Sequence, residues 1–225
     1  MSKQFWLVLL VIAAILGGVL VVTNHNRNAG APATNAKPTE HIEGNPGKSI
    51  VLIEYGDYQC PICGEFYPAV KQVVATYNGS IGFQFRELPL TQIHNNAFAA
   101  ARAAEAAGLQ GKYFEMHDLL YENQNAWSKS SDPQLQFNAY AARLGLNLPK
   151  FKQDYASEQV NNAINADIAA FNKTGDEMAT PTFYLDGKKL DNSKLFDASS
   201  HPSVAAFSQL IQAEIDRKTG SHTNL

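Results

Sequence analysis

A pair of cysteines two residues apart, Cys60-Pro61-Ile62-Cys63, sits between a strand-like run and a helix-like run, and these are the only cysteines in 225 residues. What precedes them, Ser49–Tyr55 (SIVLIEY), is short, apolar and β-branched, the pattern of a buried strand rather than a helix. Gly56-Asp57-Tyr58-Gln59 reads as a turn. A helix is expected from near Cys60, with Pro61 in its first turn, where a missing N–H does no harm. It should stop at Asn78-Gly79, with a kink at Pro68. Ile81–Leu88 (IGFQFREL) then alternates, with Ile81, Phe83 and Phe85 on one face of a second strand. Strand, helix, strand in this order implies parallel pairing through a right-handed crossover.

The next stretch, residues 95–173, changes period. Ala97–Ala107 is an alanine-dense helix closed by Gly108, and Tyr113, Met116, His117 and Leu120 form an i, i+3, i+4, i+7 stripe. Further helices are expected at Asp132–Leu144, Pro149–Tyr155 and Glu158–Asn172. Phe183–Leu185 and Lys188–Leu190, joined by Asp186-Gly187, form a hairpin, and an amphipathic helix runs from Pro202 to Lys218. The chain is therefore α/β: β-α-β, a block of helices, then β-β-α, with both halves able to share one sheet.

At the N-terminus, Phe5–Val22 is an 18-residue apolar run without a charge. As a helix it would reach about 27 Å, close to the thickness of a bilayer core. It is longer than a usual signal-peptide core, so residues 1–23 are read as an uncleaved single-span anchor, with a cleaved signal as the alternative. Lys3 ahead of the run places the rest of the chain outside the cell membrane, with residues 24–47 as a flexible linker and 48–220 as the globular domain. A net charge of −3 argues against nucleic acid as a partner.

The chemistry gathers at the cysteine pair. A metal site would need two more ligands, and there is no second cysteine pair; no metal and no cofactor is expected. A disulfide closing so small a loop gains little stability, because it removes little loop entropy from the unfolded chain. A redox role fits better. Cys60 at a helix N-terminus faces free N–H groups and the positive end of the helix dipole, which favour a thiolate, while Cys63 lies one turn further on the same face. Cys60 is then the attacking and attacked sulfur, and Cys63 resolves the mixed disulfide. Glu54, between Ile53 and Tyr55 in the preceding strand, is expected to be buried, with a raised pKa suited to moving a proton near Cys63. Thr180-Pro181 marks the start of a strand. His94 opens the inserted helices and reads as a solvated or capping histidine, with a place in the groove near the active site as the alternative; His117 reads as a satisfied structural one. Tyr55 and Tyr58 read equally as packing around the turn or as a peptide-binding surface.

The stretches VLIEYGDYQCPICGEFYP, RELPLTQIHNNAFAAARAAEAA, GKYFEMHDLLYEN and ATPTFYLDGKKL together resemble the DsbA-type thioredoxin-fold oxidoreductases, above all the membrane-tethered bacterial forms. The resemblance covers residues 46–218. It implies a thioredoxin fold carrying an inserted helical subdomain, with Cys60 and Cys63 as the catalytic pair, Glu54 as the buried acid and Thr180-Pro181 as a cis-proline that binds substrate. It also implies a protein that oxidises exported proteins with free thiols and is re-oxidised by a quinone-linked membrane thiol oxidase of the DsbB or VKOR kind; a monomer is expected, with an isomerase-like dimer as the alternative. The same residues would also serve a reductase or isomerase, and the fold alone would serve a binding or chaperone module. One departure stands out: strong oxidants of the family often carry His in the CXXC dipeptide where this chain has Ile62 after Pro61. An Ile side chain cannot stabilise the Cys60 thiolate, so a weaker oxidant is expected.

Overall fold

The computed structural model describes residues 37–44, 47 and 50–220. The apolar run Phe5–Val22 lies outside them, and among the described residues no helix is long and apolar enough to cross a membrane. The elements are β1 (Ile42–Gly44), β2 (Val51–Gly56), α1 (Pro61–Tyr77), β3 (Gly82–Glu87), α2 (Ala97–Gly108), α3 (Tyr113–Glu122), α4 (Gln124–Trp127), α5 (Gln134–Arg143), α6 (Leu148–Tyr155), α7 (Glu158–Asn172), β4 (Thr182–Leu185), β5 (Lys188–Lys189) and α8 (Val204–Thr219). They form one sheet in the order β1-β3-β2-β4-β5, in which β2 runs parallel to β3 and antiparallel to β4. The two halves of the sequence thus meet along β2, with the helical block inserted between them, as expected.

Burial on both faces explains why β2 reads as a continuous apolar run. Ile53 and Tyr55 face α7, where Tyr55 meets Phe171 edge-on with ring centroids 5.0 Å apart and Tyr184 at 5.9 Å. Leu52 faces the other layer, built around Phe66 of α1, Phe183 of β4 and Phe207 of α8. Helix α1 continues through Pro68. The hairpin turn has positive φ at both Asp186 and Gly187, the backbone of a type I′ turn. Helix α8 starts two residues later than expected, because the Ser203 side chain accepts the Ala206 N–H and caps it there.

The linker reading of residues 24–47 needs correction. Within it Ile42–Gly44 pairs antiparallel with β3, Glu43 opposite Phe83. The preceding residues are also fixed: Thr39 donates from its N–H and its Oγ1 to the buried Asp167 on α7, at 2.7 and 2.6 Å. His41 stacks on Tyr113 at 3.6 Å and reaches the Glu105 carboxylate at 3.0 Å. A three-residue strand ending in glycine carries no periodic signal, so the sequence pattern showed only a polar approach to the domain.

Candidate active site

Three elements converge on the cysteines. Strand β2 ends at Gly56 and the chain turns on Asp57, whose Oδ1 accepts the Gln59 N–H at 2.7 Å in an Asx turn. The Cys60 N–H donates to Asp57 O at 3.0 Å, and Cys60 becomes the N-cap of α1 with an extended backbone. From the opposite side, the loop before β4 presents a cis Thr180-Pro181 bond. The antiparallel register of Tyr55 against Thr182 brings that loop to the cysteine end of β2, where the Cys60 thiol donates to Thr180 O at 3.5 Å. Asn192 holds the loop by donating to Pro181 O at 2.6 Å.

The two thiols are free and differ sharply in environment. Cys63 is fully enclosed; burial pushes its thiol well above the usual range, and the neighbouring Cys60 and Glu54 push it further. The Cys60 thiol is brought down to about 6. The largest cause is a hydrogen bond from the Cys63 thiol, supported by the N–H groups of Cys63 and Ile62, against an opposing contribution from burial. Ile62 therefore contributes through its backbone, at the helix N-terminus, where its side chain cannot. One cysteine is ready to react as a thiolate at neutral pH, and the other holds its proton.

Glu54 is buried, as its place in β2 implied. Its strand neighbours are Phe85 on one side and Phe183 on the other. Burial among such side chains raises its carboxyl to about 8, with the charge of Cys60 adding to the effect. Its Oε1 has no hydrogen-bond partner.

The lesser expectations divide. Tyr55 and Tyr58 are both buried, so they pack and do not offer a binding surface; the Tyr58 ring lies against Phe85 and Tyr121. His94 is neither solvated nor a cap: its Nδ1 lies 2.7 Å from Asp57 Oδ2, against the active-site turn, nearer the alternative reading. His117 is only half satisfied, with Nδ1 at 3.3 Å from Asp118 and Nε2 unpartnered.

Two residues that shape the site escaped the sequence reading. Asp57 also accepts the Leu90 N–H at 2.9 Å, tying the turn to the loop after β3; the Gly-Asp pair signalled a turn but not this role. Gln124 on α4 donates to both Tyr58 O and Cys60 O, at 2.7 and 2.9 Å, across 66 and 64 residues, and no local pattern marks it.

A thioredoxin family model matches residues 36–202, and the chain belongs to that family. Its fold is DsbA-like. BdbD from Bacillus subtilis is similar at 20% identity over 83% of this chain and 97% of that one, with a TM-score of 0.65. The alpha-DsbA1 protein of Wolbachia pipientis is similar at 21% identity over 84% and 98%, also at 0.65. A thioredoxin-like oxidoreductase from Silicibacter pomeroyi DSS-3 reaches 25% identity over 80% and 92%, with a TM-score of 0.61. Among curated proteins, Na(+)/H(+) antiporter NhaA 1 of Salinispora arenicola is 34% identical over 168 residues, 75% of this chain but 25% of the antiporter. The chain spans about a quarter of the length of the curated relatives it matches.

Proposed function

We propose that the protein is a thiol–disulfide oxidoreductase that introduces disulfides into exported proteins, held at the outer face of the cell membrane by residues 1–23. The observation that carries this reading is the asymmetry of the pair: a Cys60 thiol at about 6, within 3.5 Å of the Thr180 carbonyl, beside an enclosed, protonated Cys63. A substrate thiolate attacks Cys60 Sγ of the oxidised pair; the Cys60–Cys63 bond breaks and Cys63 leaves, taking a proton from Glu54. A second substrate thiolate attacks the substrate sulfur of the mixed disulfide, forming the substrate disulfide and releasing Cys60 as a thiolate. A stable thiolate makes this last release favourable, so a lowered Cys60 pKa supports donation of disulfides over their reduction. A quinone-linked membrane thiol oxidase of the DsbB or VKOR kind then takes the electron pair. A redox role is in keeping with the likeness to the Silicibacter pomeroyi protein, a thioredoxin-like oxidoreductase.

A cleft of about 190 Å³ beside the turn, lined by Leu90, Ile93 and Met178, offers apolar contact for an unfolded substrate chain. Its wall is anchored to the active site through the Leu90–Asp57 bond.

The test is the reduction potential of the detergent-solubilised full chain in glutathione buffers. Thiols near 3.5 and 7 accompany potentials of about −120 and −270 mV in the strong oxidant and in thioredoxin. A thiol at about 6 predicts a potential between them. A value at or below the lower figure supports the reductase reading instead. Cys60→Ser must abolish oxidation of a reduced peptide; activity that survives it would leave only a binding module.

A further inference from the structure

Glu54 must exchange its proton with water each time Cys63 changes state, yet it is only 2% exposed. Between the sheet and helices α1 and α3 it borders a small cavity of about 10 Å³, room for one water molecule. His117 borders the same cavity, and its outer lip carries Lys71 and Asp118, whose side chains are 49% and 32% exposed. Two buried polar atoms on its lining residues have no partner: Glu54 Oε1 and His117 Nε2. Buried polar atoms of this kind are ordinarily paired, often through an ordered water.

We propose that His117 of the helical insertion carries protons between Glu54 and the surface, through one water in this cavity and onward by way of Asp118. The inference rests on the oxidoreductase reading and assigns a role within it. The Asp118 carboxylate only accepts, so the hydrogen in the His117–Asp118 contact is on Nδ1 and Nε2 is free to receive one. Burial keeps the ring neutral at rest, and the raised Glu54 carboxyl can donate. When Cys63 gives up its proton to attack the mixed disulfide at Cys60, Glu54 takes it and passes its own through the water to Nε2. The ring then releases the Nδ1 proton to Asp118 and solvent, ending as the Nε2–H tautomer. When Cys63 later leaves as a thiolate, the path runs backwards: a proton enters at Nδ1, and the Nε2 proton moves through the water to Glu54. One proton out and one in per cycle restore the starting tautomer, with no net gain or loss. The other ionisable groups facing the path are Glu43 of β1 and Tyr67 and Lys71 of α1, with Lys71 holding Asp118 at 2.6 Å.

The experiment follows reduced full-length protein mixed with glutathione disulfide, quenched with acid and read by mass. Formation of the mixed disulfide at Cys60 needs no proton from Cys63; its decay does. His117→Phe should leave formation unchanged and slow decay about a hundredfold, the lower end of what a proton-transfer group contributes. In a Glu54→Gln background it should slow decay no further. Equal slowing of both steps, an equal loss in the Glu54→Gln background, or no change would overturn the proposal. Should His117→Phe fail to fold, Asp118→Asn at the cavity lip should slow decay alone, and unchanged decay there overturns the proposal equally. Failure of wild-type protein to form a Cys60 mixed disulfide would sink the oxidoreductase reading itself, a separate outcome.

Discussion

At position 62 the side chain and the backbone do different things. The Ile62 side chain is 43% exposed and touches none of the chemistry, while its N–H helps lower the Cys60 thiol. Replacing it with His adds a donor and partial positive charge without removing that N–H. Ile62→His should take the thiol below 6 and raise the reduction potential, by about 30 mV for each pKa unit. Absorbance titration of the thiolate and glutathione equilibration give the two numbers, and a thiol that falls without a rise in potential would break the link. Glu54 makes the opposite bargain. A carboxyl raised from 4.5 to about 8 favours folding fully only below the unfolded value, and that contribution is lost as pH rises through 8. Glu54→Gln should therefore stabilise the protein by on the order of 3 kcal/mol at pH 7, more at pH 8.5 and scarcely at pH 4.5, while slowing resolution by Cys63. Denaturant melts at the three pH values check the sign, and a gain independent of pH would mean the carboxyl is not shifted.

The active-site turn is an element held from outside itself. Its carbonyls at Tyr58 and Cys60 are both occupied by Gln124, and the glycine at the next turn of α1 leaves room for that side chain: a Cβ on Gly64 would stand 2.9 Å from the Gln124 amide oxygen. Gly64→Ala and Gln124→Ala should each cost about 1–3 kcal/mol of stability. Because both break one contact, the double variant should cost little more than the worse single one. Full additivity in thermal melts would show the two to be unrelated. This contact also marks the limit of what the sequence carried. The β2-α1-β3 unit, the Asp186-Gly187 hairpin and the cysteine pair were legible because strand alternation, helix caps and turn residues are local signals. The helix N-terminus at Cys60 and the burial of Glu54 in β2 were legible for the same reason, while the cis Thr180-Pro181 bond followed from family resemblance. Gln124 and the strap at Thr39–Gly44 meet their partners across dozens of residues, and their own neighbours in sequence hold no trace of it.

For the molecule as a whole, the strap decides where the domain begins. Cutting at residue 48, as the linker reading implied, deletes β1 and strips Asp167 of Thr39, which supplies two of its three donors; the Glu87 N–H at 3.0 Å remains. It also uncovers Tyr113 and leaves Glu105 without His41. Asp167 already sits at about 6 because burial outweighs its hydrogen bonds, and losing donors to its charged form must raise it further. Residues 48–225 should therefore be less stable than residues 36–225 by roughly 2–5 kcal/mol, a fall of about 5–15 °C in melting temperature. A group whose folded pKa is raised loses its favourable contribution as pH climbs through that value, so the gap should widen from pH 5 to pH 8. Asp167→Asn in the shorter chain removes the stranded charge and should recover part of the loss at pH 8 but little at pH 5. Calorimetry on the three proteins separates these outcomes: a gap that is constant with pH would mean the strap acts through packing and strand pairing alone, and no gap would return residues 36–47 to the status of a linker.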